Sequence, residues 1–441
     1  MRERGAGLLT RLRPVLVAAF TTGIALVVLI SVAVTSTPAT IAVFFAIALF
    51  LLLIVLGFGH ASEFFVILGA CLVPMSNLHP VEVVSFITVA DAAFVVGFGL
   101  MLPVLLRRPL HLPSTFVFGV AGVLTVALFS SLLSDEPMDS LFILVRLAVG
   151  AFGLSILIIW WNPNLKKVVI LASAYVLGNV VSIGWAVVNN EYSVEGRRAG
   201  LSEHPNVFGL TALLAVALIP FIFTQTPRAW RWLPPVAGVV CLYGVWSSGS
   251  RGALAALIAV AVIYPVLARS VLAGLGLLAG FATFLVFSTR LLGEASSDNA
   301  LGRLLGAGSA SASDQAREDL LHQALDQFLA SPILGDGVAN ILAAHIIYLQ
   351  IAAAMGVVGL AFYLLVHWST VSPIVLLSTP FSLLALPALA YVILGLVTPV
   401  LWDRYIWTVL ALALLAPRLA AAAGESPARL DRDNEVADAS G

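Results

Sequence analysis

Long apolar runs separated by short polar stretches make up most of this chain. A bilayer core about 30 Å thick takes about 20 apolar residues of helix to cross, and many of the runs come close to that length. Candidate spans lie near 14 to 36, 38 to 58, 62 to 78, 81 to 105, 114 to 134, 139 to 161, 167 to 189, 206 to 224, 232 to 247, 251 to 268, 271 to 290, 346 to 367, 381 to 399 and 403 to 417. The shorter ones are candidates for partial or re-entrant helices. The pattern therefore predicts an all-α, polytopic membrane helix bundle of about 12 to 14 spans.

The composition supports this class. Hydrophobic residues make up 61% of the 441 residues and charged residues only 10%, whereas a soluble domain carries about 25% charged residues. The formal net charge of −1 leaves no basic excess for nucleic acid. Cys71 and Cys241 lie within apolar runs and are interpreted as small core residues.

Basic residues near the span ends predict the orientation. Lys and Arg collect in cytoplasmic loops, and alternate loops carry the N-terminal arginines, Arg107 with Arg108, Lys166 with Lys167, Arg228 with Arg231, and Arg269. The N-terminus is therefore predicted to be cytoplasmic, with the first span retained as a signal anchor. Residues 1–290 would form the first part of the bundle, 291–344 a long external loop, 345–418 the final helices, and 419–441 a disordered cytoplasmic tail.

The predicted external loop contains its own helix. Ser313 or Asp314 is a candidate cap for an amphipathic helix over 315–330, which would end before Pro332. Arg317 and Leu321 are four residues apart and share a face. We expect this helix to lie on the bilayer surface or to cap the bundle with Arg317 directed inward.

Arginines are unexpectedly frequent on the predicted external side, which the positive-inside rule disfavours. The six are Arg197, Arg198, Arg251, Arg290, Arg303 and Arg317. Arg290 and Arg303 are interpreted as anchors to lipid headgroups. The others indicate a site that uses cations.

Three stretches on that side carry a recognisable pattern. They are Arg197-Arg198 to Asn206, the Ser-Arg-Gly around Arg251, and Arg317 through Gly335-Asp-Gly337 and His345-Ile-Ile-Tyr-Leu-Gln350 to Gly356 and Gly359. In order and identity they resemble the O-antigen ligase and O-antigen polymerase family over residues 195 to 367. One departure is Ile346, where the family usually has a polar residue, commonly Asn.

The resemblance implies an activity and its partners. It implies transfer of a glycan from an undecaprenyl-pyrophosphate-linked donor to an acceptor saccharide or glycolipid, without a metal or another cofactor. The reaction would take place on the external, periplasmic face of a bacterial inner membrane, among membrane lipids. The glycosyltransferase could be a ligase or a repeat-unit polymerase, since both use the same donor chemistry.

The site residues follow from that chemistry. A departing pyrophosphate needs cationic hydrogen-bond donors, which arginine supplies; the candidates are Arg251, Arg317, Arg198 and Arg197. The acceptor hydroxyl needs a general base with a pKa near neutrality, for which His345 is the candidate. His204 and Gln350 are secondary candidates, although His204 also suits a simple helix start.

Two alternatives come from other protein classes. One is a polytopic transporter, in which the intramembrane charges Asp91 and Arg146 would line a path; as a structural alternative these two could pair with each other. The other is a non-catalytic partner in polysaccharide assembly. A serine hydrolase elbow, a zinc protease motif and a Walker A loop do not occur in the sequence.

Overall fold

The computed structural model describes residues 57–79, 87–189, 196–267, 299–304, 310–339, 346–399 and 403–424, with isolated positions between 271 and 286. All regular structure in these residues is helical, and they contain no strand. This confirms the all-α prediction for the described part of the chain.

Twelve labelled helices are used below. They are α1 (Gly57–Leu72), α2 (Val89–Leu105), α3 (Ser114–Leu133), α4 (Pro137–Trp161), α5 (Leu165–Val188), α6 (Pro205–Gln225), α7 (Leu233–Ser247), α8 (Arg251–Leu267), α9 (Ala310–Ala330), α10 (Ile347–Val371), α11 (Leu386–Leu394) and α12 (Arg404–Ala422). Shorter helical pieces accompany them: one-turn helices at Ala300–Leu304 and Pro373–Leu376, and 3-10 turns at Arg228–Trp230 and Phe381–Ala385.

Six of the described helices are long and apolar enough to cross a membrane: α3, α4, α5, α6, α10 continued to Leu376, and α12. Four shorter apolar helices accompany them. The predicted spans between 114 and 268 coincide with α3 to α8 to within two residues at each end. The total of 12 to 14 spans stays a prediction, since several predicted spans fall outside the described residues.

The residues divide into two compact units. Residues 57–66 and 93–104 belong to the first, where the backbone of Gly97 lies so close to α1 that a Cβ there would be 2.8 Å from Val66 Cγ2. Residues 67–79, 87–92 and the described chain from Leu105 onward belong to the second.

In the second unit α6 and α12 are central. In the apolar 18-residue stretch of each helix, 72% of α6 and 78% of α12 is buried, against 44% for α3 and for α4. Trp407 of α12 is fully buried and its ring lies 5.3 Å from that of Phe152, in the π-helical turn Ala148–Gly153 of α4. The outer helices instead expose large apolar side chains such as Phe118 and Val145, as lipid-facing helices do.

Helices α6, α8, α10 and α12 begin at the same end of the second unit. Hydrogen bonds join the segments there, from Asn77 N to Leu201 O (3.0 Å) and from Ile347 N to Gly395 O (2.9 Å). At the opposite end the Trp160 indole donates to Arg108 O over 3.1 Å. The basic loop residues gather at this opposite end; that it faces the cytoplasm stays a prediction.

One sequence prediction about α9 is wrong in detail. The helix contains the whole of 315–330 but begins at Ala310. Ser313 and Asp314 therefore lie inside the helix and neither caps it. Alanine is the best helix former, and Ala310 and Ala312 extend the helix into a stretch that reads as a Gly/Ala/Ser linker.

Candidate functional site

A cavity of about 300 Å³ opens at the end where α6 and α8 begin. Three arginines from three separate segments line it: Arg251, Arg303 and Arg317. The other lining residues are Asn206, Gly249, Ser250, Gly252, Ala255, Leu394, Val397 and Thr398. The cavity thus combines a cationic wall with an apolar wall formed by α8 and the end of α11.

The Ser-Arg-Gly motif places Arg251 in the cavity. Ser250 precedes α8, and its Oγ accepts a hydrogen bond from Ala253 N over 3.3 Å, which is the bond of an N-cap. Gly252 allows close packing on α11 and the residues after it, because a Cβ there would lie 3.2 Å from Leu394 Cδ1 and 3.0 Å from Val397 Cγ2. Arg251 is therefore the first residue of α8, where the helix dipole adds to its attraction for anions.

Arg303 is the residue that sequence reasoning missed. Its side chain is only 3% exposed and lines the cavity, an arrangement that does not suit the headgroup anchor inferred from the sequence. The one-turn helix that carries it is fixed by Asn299, whose Oδ1 accepts from Gly302 N over 2.7 Å. The surplus of arginines on the predicted external side was the available signal, but nothing in the local sequence distinguishes Arg303 from Arg290.

Arg197 and Arg198 brace the cavity from beside it and are not among its lining residues. The Arg197 side chain donates from Nε to Ser248 O over 2.8 Å and from Nη2 to Asn206 Oδ1. The Arg198 guanidinium donates to the carbonyl of Ala186. Both are buried; Arg197 joins the turn before α8 to the start of α6, and Arg198 bonds to the end of α5.

Of the three remaining candidate residues, the structure describes His204 and Gln350. His204 is the N-cap of α6, and its Nδ1 accepts from Asn206 N over 3.1 Å. Gln350 is buried in α10. His345 lies outside the described residues. Two residues after it, Ile347 donates to Gly395 O, next to the cavity residue Leu394.

The glycines of the motifs form a joint between two segments. At Gly356 the backbone has φ 65° and ψ −174°, which breaks α10 into 347–355 and 357–371. The turn at 331–337 docks onto this break, with Asp336 N and Gly337 N each donating over 3.0 Å to Ala353 O and Ala354 O. A Cβ on Gly356 would lie 2.0 Å from Ile333 O, so only glycine fits. The joint also accounts for Gly335, whose φ is +75°.

Asp91 forms its ion pair with Arg404, and not with Arg146 as the sequence suggested. Asp91 Oδ1 lies 2.6 Å from Arg404 Nε, and Asp91 Oδ2 accepts from Thr88 N. Arg146 acts on Asp403 instead: burial raises the pKa of the Asp403 carboxyl, while the Tyr405 hydroxyl, Arg404 and Arg146 lower it. These charges form a network within the second unit, between the first turn of α2 and the start of α12.

Within the described part of the chain, no three His, Cys, Asp or Glu side chains are grouped as a metal ion would require. The side chains that meet at the cavity are cationic and suit an anion carrying several oxygens. Arginine forks bind phosphate in a bidentate manner, and three of them would spread over two phosphate groups.

The fold and the cavity together define a polytopic helical membrane protein with a cationic pocket at one end of the bundle. Residues 236–364 of this chain match the sequence model of the family described as O-antigen ligase. The matched stretch runs from α7 into α10 and includes all three cavity arginines. No match was found among curated proteins. The family match confirms the resemblance seen in the sequence and supports an O-antigen ligase-like membrane enzyme of the glycosyltransferase type.

Proposed function

We propose that this protein transfers a glycan from an undecaprenyl-pyrophosphate donor to an acceptor saccharide or glycolipid at the external face of the bacterial inner membrane. The observation that carries the proposal is the cavity into which Arg251, Arg303 and Arg317 converge. A sugar leaving as its pyrophosphate develops negative charge on the leaving oxygens, and preorganised cations stabilise that charge in the transition state.

The cavity also suits the lipid part of the donor. Its apolar wall contains Leu394 and Val397, and Val397 is 46% exposed. A polyprenyl chain would leave the cavity along this wall and enter the surrounding lipid, while the pyrophosphate stays against the arginines.

His345 is the proposed general base. The support for this role is the motif in which His345 stands, together with Ile347, two residues later in the sequence, which donates to Gly395 O next to the cavity residue Leu394. A neutral imidazole would take the proton of the acceptor hydroxyl as that oxygen attacks the anomeric carbon and the pyrophosphate departs. The single displacement inverts the anomeric centre and needs no covalent intermediate.

Arg197 and Arg198 have a supporting role in this scheme. Arg197 holds Ser248 and Asn206, and Asn206 lines the cavity. We assign Arg197 to positioning the starts of α8 and α6 and Arg198 to holding its segment on α5. We assign the binding of pyrophosphate to the three cavity arginines.

Binding of undecaprenyl pyrophosphate to the purified protein in detergent tests the proposal without knowledge of the acceptor. Each charge-assisted hydrogen-bonded arginine contributes about 1.5–3 kcal/mol, so Arg251→Met and Arg317→Met should each raise Kd about 10- to 100-fold. Inorganic pyrophosphate should compete. The matched control is Arg231→Met, an exposed arginine outside the cavity. Unchanged affinity in both cavity variants would contradict the proposal.

A further inference from the structure

The far end of helix α9 is tied to the joint at Gly356. Gln327 Nε2 donates to Asp336 Oδ2 over 3.2 Å, and the backbone of Asp336 donates to Ala353 O over 3.0 Å. These two bonds run from α9 through the turn to the broken end of α10. We call the pair Gln327 and Asp336 the α9 latch.

The latch has a larger share in holding this end of α9 because apolar packing there is sparse. Leu325 is 41% exposed and Leu329 is 62% exposed, on either side of Gln327. Ala324 is fully buried in this part of the helix, and Phe328 is partly buried. Partly covered apolar side chains leave a helix some freedom to tilt, whereas a hydrogen bond to a turn that is itself bonded to α10 restricts that tilt.

Arg317 lies on the same helix, ten residues before Gln327, which is about 15 Å along a helix of 1.5 Å rise per residue. A tilt of about 10° about the latched end would therefore move Arg317 by about 2.6 Å. Misplacing a reacting or stabilising group by about 1 Å can reduce the rate about 100-fold. The orientation of α9 is thus coupled to how well Arg317 meets its ligand.

We propose that Gln327 and Asp336 are positioning residues that hold Arg317 in the cavity. The inference rests on the proposed function, because it takes Arg317 as a ligand of the donor pyrophosphate. The latch touches neither donor nor acceptor and acts through the helix. Neither residue is among the candidate catalytic or pyrophosphate-binding residues of the sequence analysis, although Asp336 stands in the Gly335-Asp-Gly337 stretch of the motif.

Reversing the hydrogen bond tests the latch. Gln327→Glu sets two carboxylates against each other and should lower the rate of donor consumption, in membranes of a strain lacking the native gene, about 10-fold or more. Adding Asp336→Asn supplies an amide donor to the new carboxylate and should restore the rate to within about threefold of wild type. The matched control is Gln323→Glu, the same change at an exposed position one turn earlier, which should leave the rate within about twofold.

Repeating Gln327→Glu in an Arg317→Met background separates positioning from a general loss of structure. If the latch acts through Arg317, adding Gln327→Glu to Arg317→Met lowers the rate of donor consumption no further, at equal membrane abundance. A further 10-fold loss there, or failure of Asp336→Asn to restore the rate, overturns the inference. An Arg317→Met protein as active as wild type would overturn the proposed function itself, which is a different result from either of these.

Discussion

Gly356→Ala should destabilise the protein strongly, because the break in α10 and the docked turn both depend on that glycine. The conformation at φ 65° and ψ −174° is essentially restricted to glycine and costs another residue about 1–3 kcal/mol. The added Cβ would lie 2.0 Å from Ile333 O and 2.5 Å from Leu334 N, which are backbone atoms of the turn. The turn would have to move away.

Retreat of the turn would break three backbone hydrogen bonds. They join Asp336 N to Ala353 O, Gly337 N to Ala354 O and Val357 N to Pro332 O, at 3.0, 3.0 and 2.8 Å. At about 1 kcal/mol each, they raise the expected cost of the substitution to ~4–6 kcal/mol. We therefore expect the midpoint of thermal unfolding to fall by about 5 °C or more.

Tryptophan fluorescence during heating of the purified protein in detergent measures this midpoint. The matched control is Gly184→Ala in α5, where a Cβ meets no atom within 4 Å and alanine favours the helix. It should unfold at the wild-type temperature or slightly above. A Gly356→Ala midpoint within about 1 °C of wild type would refute the account of the joint.

Three further substitutions test separate parts of the structure. Arg303→Met removes a buried cation from the cavity and should lower donor consumption about 10-fold or more while the thermal midpoint is retained. Asp91→Asn weakens the ion pair with Arg404, in which Asp91 is 16% and Arg404 31% exposed, and should lower the free energy of unfolding by about 1–3 kcal/mol. The rate of glycan transfer per folded molecule should stay within about twofold of wild type. Tyr348→Phe removes the donor 2.6 Å from Val392 O and should lower donor consumption by loosening the start of α10.

The opposite result in each case carries a clear meaning. Full activity of Arg303→Met would favour the interpretation from the sequence, in which Arg303 anchors the protein to lipid headgroups. Loss of transfer without loss of stability in Asp91→Asn would favour a path lined by charges, as in the transporter alternative. An unchanged rate for Tyr348→Phe would show that its bond to α11 does not influence the residues that follow His345.

Much of the architecture could be predicted because membrane helices have a simple signature. Length and hydropathy locate α3 to α8 almost residue by residue, since in lipid the backbone of each span must satisfy its own hydrogen bonds. The break in α10 could not be predicted in this way. The run from Ile347 to Leu376 has a mean hydropathy of 2.1 and is apolar on both sides of Gly356, and only the carbonyls of the turn at 331–337 show why Gly356 interrupts the helix.

The site residues that stand in sequence motifs could be predicted, whereas those brought together only by tertiary contacts could not. Arg251 and Arg317 stand in recognisable stretches, and both line the cavity. Arg303 lies in a stretch without a motif, and the partner of Asp91 lies 313 residues further along the chain. A long-range ion pair leaves no local pattern, so the nearer charge Arg146 was the only partner that the sequence suggested.

The most direct test of the central claim is the glycolipid profile of cells that lack this gene, complemented with wild type, His345→Ala or Arg251→Met at equal membrane abundance. We predict that an undecaprenyl-pyrophosphate-linked glycan accumulates in the deletion strain, clears with wild type, and persists with both variants. Clearance by the variants as complete as that by wild type would contradict the assigned site, and a deletion strain with an unaltered profile would contradict the transferase itself.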